Sequence, residues 1–230
     1  MRHRANTFFH SFADRLTPMT FTLLCLIISF LFNSWRPIEV SAAGTEDNRI
    51  WNNGVAVQDE VMLELLHFRQ ADARWASVGM GVSQKSIGEY GCALTSLAMY
   101  ATNIGVDTDP ERLNLMLGDD ANPVEWEAFA AELGYRLTHK EDSIDLHNKL
   151  VSKEYVEDTV VRSLSEGKPA IIGIWNSESY WTHFIVAYGY RYEDGNYVIY
   201  VRDPSVNNDY QTLDEIDPVW AYYRLVVLGE

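Results

Sequence analysis

Cysteine is scarce in this chain: the 230 residues contain two, Cys25 and Cys92. Cys25 lies inside an apolar N-terminal segment, so Cys92 stands alone in the remainder of the sequence. A single thiol has no disulfide partner within its own chain and cannot form a cysteine-based structural zinc site. Cys92 must therefore be a buried small side chain, a tolerated free thiol or a functional group.

Basic residues are also in deficit, with 18 Lys and Arg against 33 Asp and Glu. After the first 42 residues the counts are 14 and 31, which gives a net charge of −17. A surface of this charge repels a phosphate backbone, which argues against nucleic-acid binding. The composition favours cationic or neutral partners, such as basic peptides or envelope material that carries amines.

Signals for a cofactor are missing as well. His67, His139 and His147 share no spacing with carboxylates that would suit zinc, and no glycine-rich phosphate-binding loop occurs. Acidic pairs within residues 107–120 are better explained as helix caps and solvated charge than as a calcium site. The sequence predicts neither a metal nor a cofactor.

The N-terminal segment begins with basic residues and continues as a charge-free run of 20 residues. Small residues follow at 40–44, which predicts a signal peptide over residues 1–43 with cleavage after Ala42 or Ala43. An uncleaved membrane anchor is the alternative, because a run of about 20 apolar residues can span a bilayer. Both interpretations predict a secreted or extracytoplasmic protein that contacts a membrane only through this segment.

The rest of the chain divides into a polar stretch over residues 44–60, which predicts a tether, and one folded domain over residues 61–230. Residues 61–68 are apolar and fit either a short helix or an extended lead-in. Apolar residues at three- and four-residue spacing, with caps and terminating glycines, predict four helices. They begin near Cys92, Asp109, Asn122 and Lys153.

After residue 169 the pattern changes from helix to strand. Short apolar runs occupy residues 170–175, 184–192, 197–201 and 221–228. Asp194-Gly195 is a strong hairpin signal between the second and third runs. Helices followed by an antiparallel sheet predict an α+β fold in two layers, with the N-terminal helices packed on the C-terminal sheet.

Three residue types occur in the order that nucleophilic catalysis requires. Cys92 follows Gly91 at the start of a buried helix, where a thiolate is stabilised by the helix N-terminus. His183 begins an apolar strand, and Asp203 ends the strand that pairs with it. Across the Asp194-Gly195 hairpin His183 is predicted opposite residue 206, three positions from Asp203, so that a bulge or a slip in register would bring the two side chains together. Each residue alone also fits an ordinary structural role.

Five motifs in this order resemble those of the C39-like peptidases, which are papain-fold relatives of the double-glycine leader peptidases that process bacteriocin precursors. The resemblance covers about residues 65–230. It rests on Gln70-Ala71-Asp72-Ala73-Arg74-Trp75, Gly91-Cys92-Ala93-Leu94-Thr95-Ser96, Gly167-Lys168-Pro169-Ala170, His183-Phe184-Ile185-Val186 and Arg202-Asp203-Pro204.

This resemblance implies a papain-like cysteine peptidase fold and a bacterial enzyme with Cys92 as the nucleophile, His183 as the base and Asp203 as the group that orients the base. The oxyanion-hole glutamine of the family maps to Gln70, with Gln84 as the alternative. Papain relatives usually carry this glutamine about six residues before the cysteine, so Gln70 requires a loop insertion between the two.

The resulting functional hypothesis is a secreted or surface thiol hydrolase that cleaves a peptide or peptide-like amide bond through a thioester intermediate. Two alternatives remain open at this point. One is a catalytically silent papain-fold module that binds peptide or cell-envelope ligands. The other is an acyltransferase that uses the same three residues with an amine in place of water.

Overall fold

The protein is described by a computed structural model that covers residues 50–52, 55–142, 151–176, 178–216 and 220–229. All of these residues belong to one compact unit, Asn48–Glu230. The signal peptide or anchor predicted over residues 1–43 lies outside the described residues. Among the helices in the described ranges, none has the length and apolar character that crossing a bilayer requires.

The central element is a six-stranded antiparallel sheet. Its main path runs β6–β10–β7–β8–β9, and β3 pairs with β8 beyond the end of β7. Two small hairpins, β1–β2 and β4–β5, lie outside this sheet. The strands are β1 Ile50–Asn52, β2 Val55–Val57, β3 Glu60–Met62, β4 Gly79–Met80, β5 Lys85–Ser86, β6 Arg136–Asp142, β7 Ala170–Asn176, β8 Thr182–Glu193, β9 Asn196–Arg202 and β10 Trp220–Gly229.

In the part of the chain that the structure describes, five α-helices accompany the sheet: α1 Ile87–Tyr90, α2 Cys92–Asn103, α3 Pro110–Leu117, α4 Trp126–Glu132 and α5 Lys153–Ser165. The α+β class predicted from the sequence is confirmed. Asp109 caps α3 as expected, because its side chain accepts a hydrogen bond from the Arg112 N–H at 2.9 Å. Helix α4 begins at Trp126 and not at Asn122, since the residues before it form a tight turn closed by a bridge between Ala121 and Val124.

The prediction of two layers is wrong, because helices cover both faces of the sheet. Helices α2 to α4 pack against one face, and α5 packs against the other through Val156, Val160 and Leu164. Strand β7 explains the need for this arrangement: Ile171 faces the first core and Ile172 the second, and both are fully buried. A strand that is apolar on both faces requires a cover on each side.

The stretch predicted as a tether is partly structured in its described part. Residues 50–52 and 55–57 form the paired strands β1 and β2, and residue 60 opens β3. Two hydrogen bonds attach the connection to β8, one from the Tyr190 hydroxyl to the Gln58 carbonyl and one from the Tyr192 N–H to the Asp59 carbonyl (3.1 and 2.8 Å). Of the two interpretations of residues 61–68, the extended lead-in is the one observed.

Candidate active site

Cys92 is the first residue of α2 and is partly accessible to solvent. Its position depends on Gly91, which joins α2 to the short helix α1. A Cβ atom on Gly91 would clash with the Ile87 carbonyl oxygen and would lie 2.7 Å from its Cγ2 atom. No side chain caps α2, and the first N–H groups of a helix lack intrahelical acceptors. The Cys92 N–H is therefore placed where it can donate to a ligand.

The β8–β9 hairpin brings His183 and Asp203 together. It turns at Asp194-Gly195, where both residues have positive φ as in a type I′ turn. Continued without interruption, the pairing would set His183 opposite residue 206. A β-bulge around Tyr188 shifts the register by one residue. Beyond the bulge Val186 is opposite Arg202, and this register, if extended, sets His183 against residue 205, two positions from Asp203. On that register the two side chains point to the same face of the sheet.

His183 and Asp203 form a buried pair. The His183 Nε2–H donates to Asp203 Oδ1 at 2.7 Å, and the exposed fractions of the two residues are 7% and 0%. The Asp203 carboxylate also accepts hydrogen bonds from the backbone N–H groups of Ser205 (2.7 Å) and Tyr210 (3.4 Å). These bonds stabilise a charge that burial alone would disfavour. They also fix the plane of the carboxylate that orients the imidazole.

Electrostatics favour the charged form of His183. Burial lowers its pKa, but hydrogen bonds to Asp203 and Cys92, together with the negative charge on both partners, outweigh this effect and raise the pKa of His183 to about 9. Because Nε2 is occupied by Asp203, Nδ1 is the ring atom left for the thiol. At neutral pH the imidazolium can thus stabilise a thiolate beside it.

Gln70 lies in the same cleft as Cys92 and His183. Its Nε2 donates one hydrogen to the Gly88 carbonyl at 2.9 Å, which leaves the second hydrogen available. Its backbone N–H is bonded to the Pro204 carbonyl at 2.9 Å, next to Asp203. Gln84, the alternative, lies in the β4–β5 turn and bonds to the Gly81 carbonyl, outside the residues that line the cleft.

The cleft itself has a volume of about 450 Å³ and an aromatic rim. Trp181 and Tyr90 both line it, 56% and 41% exposed, and their rings are stacked with centroids 6.2 Å apart and planes inclined by 22°. Trp175, which lies on β7, is buried in the core. Exposed aromatic rings beside a reactive side chain are suited to holding an extended ligand.

Sequence reasoning missed the residues that hold the Asp203 turn. The His67 Nε2–H donates to the Asp203 carbonyl at 2.8 Å, and Arg69 Nη1 donates to the carbonyls of Asp203 (3.1 Å) and Ser205 (2.6 Å). Arg69 also pairs with Asp209 through Nη2. Burial lowers the pKa of His67, and the nearby cations Arg69 and Arg202 lower it further. The hydrogen bond to the Asp203 carbonyl opposes this effect only in part. The partners of His67 and Arg69 lie more than 130 residues away in the sequence, so no local pattern indicates these contacts.

No group of three or more His, Cys, Asp or Glu side chains that could hold a metal ion occurs within the described ranges. The chemistry that the described site can offer is that of a thiol beside a hydrogen-bonded imidazole. A cysteine that opens a buried helix, facing a His–Asp pair on an antiparallel sheet, is the arrangement of papain-like thiol hydrolases.

The chain belongs to the Peptidase_C39 like family, whose family model matches residues 66–226. This membership supports a cysteine peptidase at the level of the family, and it confirms the resemblance seen in the sequence motifs. A search of curated proteins finds no match to the chain.

Proposed function

We propose that this protein is a thiol hydrolase that cleaves a peptide or peptide-like amide bond, with Cys92 as nucleophile, His183 as general base and acid, and Asp203 as the orienting group. The observation that carries the proposal is the buried His183–Asp203 bond of 2.7 Å beside a thiol at a helix N-terminus. Family membership supports the same class of chemistry.

The reaction begins from the ion pair in which Nδ1 of His183 already holds the proton of Cys92. The thiolate attacks the carbonyl carbon of the scissile amide, and the carbonyl oxygen takes up the negative charge. When the tetrahedral intermediate collapses, His183 returns its proton to the leaving nitrogen and the C–N bond breaks. Water then attacks the thioester, with His183 again accepting a proton, and the carboxylic acid product and the free thiol are released.

Two N–H donors can stabilise the oxyanion. One is the backbone N–H of Cys92 at the start of α2, and the other is the second Nε2 hydrogen of Gln70. The Gly88 carbonyl holds the Gln70 amide at 2.9 Å, so the donor is fixed before the substrate binds. Preorganised donors of this kind each contribute a factor of about 10² to 10³ to the rate of comparable hydrolases.

The proposed place of action is outside the cytoplasm, on the strength of the apolar run and the small residues near Ala42 in the N-terminal sequence. The net charge of −17 after residue 42 supports a substrate with a cationic or neutral part. Among the described residues that line the main cleft, Glu89 is the acidic one. A cationic group of a substrate bound in this cleft would meet this carboxylate.

The proposal is tested by incubating the protein with a mixed peptide library and following both cleavage and the mass of the intact protein. We expect new peptide termini and, after rapid acid quench, a thioester adduct on Cys92. Cys92→Ser and His183→Ala should abolish both signals. Peptide binding without cleavage or adduct would instead support the silent binding module. Products that carry an added amine in place of new carboxyl termini would support acyl transfer.

A further inference from the structure

Two contacts join the α1–α2 segment to the start of β8, and neither has entered the mechanism above. The inner contact is buried, and in it the Ser96 hydroxyl on α2 donates to the Phe184 carbonyl on β8 at 3.2 Å. The outer contact is the stack of Tyr90, the last residue of α1, with Trp181, which directly precedes β8. The same two segments are thus connected both inside the protein and at its surface.

The two contacts bracket the proposed reactive groups. Cys92 lies two residues after Tyr90, and His183 lies two residues after Trp181. The inner contact follows four residues after the cysteine and one residue after the histidine. A thiol and an imidazole act as a pair only within hydrogen-bond reach, and a misplacement of about 1 Å can cost 10²-fold in rate. The separation of the two groups is therefore fixed from both sides.

Trp181 is held by the loop that connects β7 with β8. The Asn176 N–H donates to the Trp181 carbonyl at 2.8 Å, and the Asn176 carbonyl accepts from the Tyr180 N–H at 2.9 Å. The side-chain oxygen of Asn176 accepts from the N–H groups of Glu178 and Ser179 at 2.9 and 2.8 Å. These bonds fix the backbone that carries the indole, so the stack attaches α1 to an ordered part of the sheet.

Core packing does not explain the outer contact, because both rings are exposed and line the main cleft. Stacked aromatic pairs are stabilised beyond the area that they bury. We propose that Tyr90 and Trp181 are positioning residues, whose stack holds the start of α2 against the start of β8 and keeps Cys92 within hydrogen-bond reach of His183. This inference rests on the proposed function, in which the thiol and the imidazole act as a pair.

The test follows Cys92 alkylation by iodoacetamide from pH 4 to 9, in which the thiolate displaces iodide and forms a thioether. The midpoint of the profile is the readout, because loss of an exposed ring changes access to the thiol, and hence the absolute rate, without moving the midpoint. We expect Trp181→Ala to raise the midpoint by about 0.3 to 1 pH unit, about a two- to tenfold change in the thiol–thiolate equilibrium. Trp181→Phe keeps a ring for the stack and should remain near the wild-type midpoint.

A double-mutant cycle shows whether the two rings act together. Tyr90→Ala and Trp181→Ala break the same stack, so the double variant should shift the midpoint no further than Tyr90→Ala alone. Lys85 Nζ lies 4.4 Å from the centroid of the Tyr90 ring, so Tyr90→Ala also removes a second contact, and only the non-additive part reports the stack. Shifts that simply add would overturn the proposal.

The charged groups around the thiol are the same in all of these variants. Besides His183 with its partner Asp203, the described residues of the main cleft include Glu89, and an adjoining pocket that the thiol also lines includes Lys85 and Arg224. None of the substitutions removes a charged side chain. A shift of the midpoint therefore reports a change in geometry.

Tyr180→Ala is the matched control. It removes an aromatic ring, 72% exposed, from the same loop, and this ring contacts Trp175 and is not among the described residues that line the main cleft. The midpoint should stay at the wild-type value. An equal shift in Tyr180→Ala would mean that any disturbance of the loop has this effect, which would overturn the assignment to the stack.

The outcomes separate this inference from the proposed function. A wild-type midpoint at about pH 8.5, as for a free thiol, would refute the proposed function itself. A wild-type midpoint well below pH 8 that Trp181→Ala leaves unchanged would refute the positioning role alone. Chemical denaturation accompanies each profile, and a loss of stability without a shift of the midpoint would reduce the stack to a structural contact and overturn the proposal.

Discussion

Replacing Asp203 by Asn is the sharpest perturbation of the site, because it keeps the shape of the side chain and removes its charge. In the folded protein the pKa of His183 is raised from 6.5 to about 9 against the opposing effect of burial. This difference corresponds to about 3 kcal/mol in favour of the imidazolium. The hydrogen bond to Asp203 is the largest of the contributions that raise the pKa.

Loss of an opposite charge at this distance lowers a histidine pKa by about one to three units. We therefore expect His183 to titrate at about pH 6 to 8 in Asp203→Asn. Because His183 must be protonated to release the leaving amine, the alkaline limb of any pH–rate profile should move to lower pH in parallel. The wild-type limb should lie at about pH 9.

The assay is NMR titration of protein with isotopically labelled histidine, which needs no substrate. The chain has six histidines, and the His183 signal is assigned by its loss in His183→Gln. Asp214→Asn is the control, because Asp214 is an exposed carboxylate that bonds to Lys153 and not to His183. Equal titration of His183 in wild type and Asp203→Asn would refute the reasoning.

Three further predictions concern the groups that support the site. Gln70→Ala should lower kcat for hydrolysis of an activated ester by about 10² to 10³ and leave iodoacetamide alkylation unchanged, and an equal loss of both would contradict its oxyanion role. Gly91→Ala should slow alkylation of Cys92 and lower the free energy of unfolding by about 1–3 kcal/mol, measured by chemical denaturation. Gly105→Ala, where no neighbour lies within 4 Å, should lower the free energy of unfolding without slowing alkylation. Arg69→Met should shift the His183 titration to lower pH, because the Asp203 turn loses the hydrogen bonds that Arg69 donates to it, and Arg69→Lys should give an intermediate shift. If neither variant shifted the titration, these hydrogen bonds would have only a structural role.

The pH dependence of stability offers a related prediction in a Cys92→Ser background, where the thiol no longer titrates. A histidine with a raised folded-state pKa contributes stability that is fully present below its unfolded pKa of about 6.5 and is lost as pH rises through the folded pKa. We expect the stability difference between Cys92→Ser and Cys92→Ser/His183→Gln to fall by at most about 3 kcal/mol between pH 6 and 10. A difference that grew with pH would contradict the sign of the shift.

Local patterns were sufficient for the α+β class, for the helix that begins at Cys92 and for the family. Periodicity and glycine stops indicate α2, and Asp194-Gly195 indicates the hairpin. The position of the bulge around Tyr188 could not be predicted from local patterns, because strand register depends on how side chains pack across the sheet. The assignment of the three site residues to catalytic roles remains a prediction, although the bulge explains how two of them meet.

Features that depend on contacts between distant segments could not be derived from the sequence. Helix α5 was predicted as a helix, but the face of the sheet that it covers is decided by tertiary packing. The segment between Gln70 and Cys92 folds back, so that both residues line one cleft although 22 positions separate them. The spacing alone had argued against Gln70 as the oxyanion-hole residue. The hydrogen bonds from Arg69 to the carbonyls of Asp203 and Ser205 likewise join segments that no local pattern connects.

The claim at the centre of the account is that His183 activates Cys92. It is tested most directly by the rate of Cys92 alkylation with iodoacetamide from pH 4 to 9 in wild type and His183→Ala. We expect the wild-type protein to react well below pH 8 and His183→Ala to lose that reactivity. If both proteins instead followed the same profile, with a midpoint at about pH 8.5 as for a free thiol, Cys92 would not be an activated nucleophile.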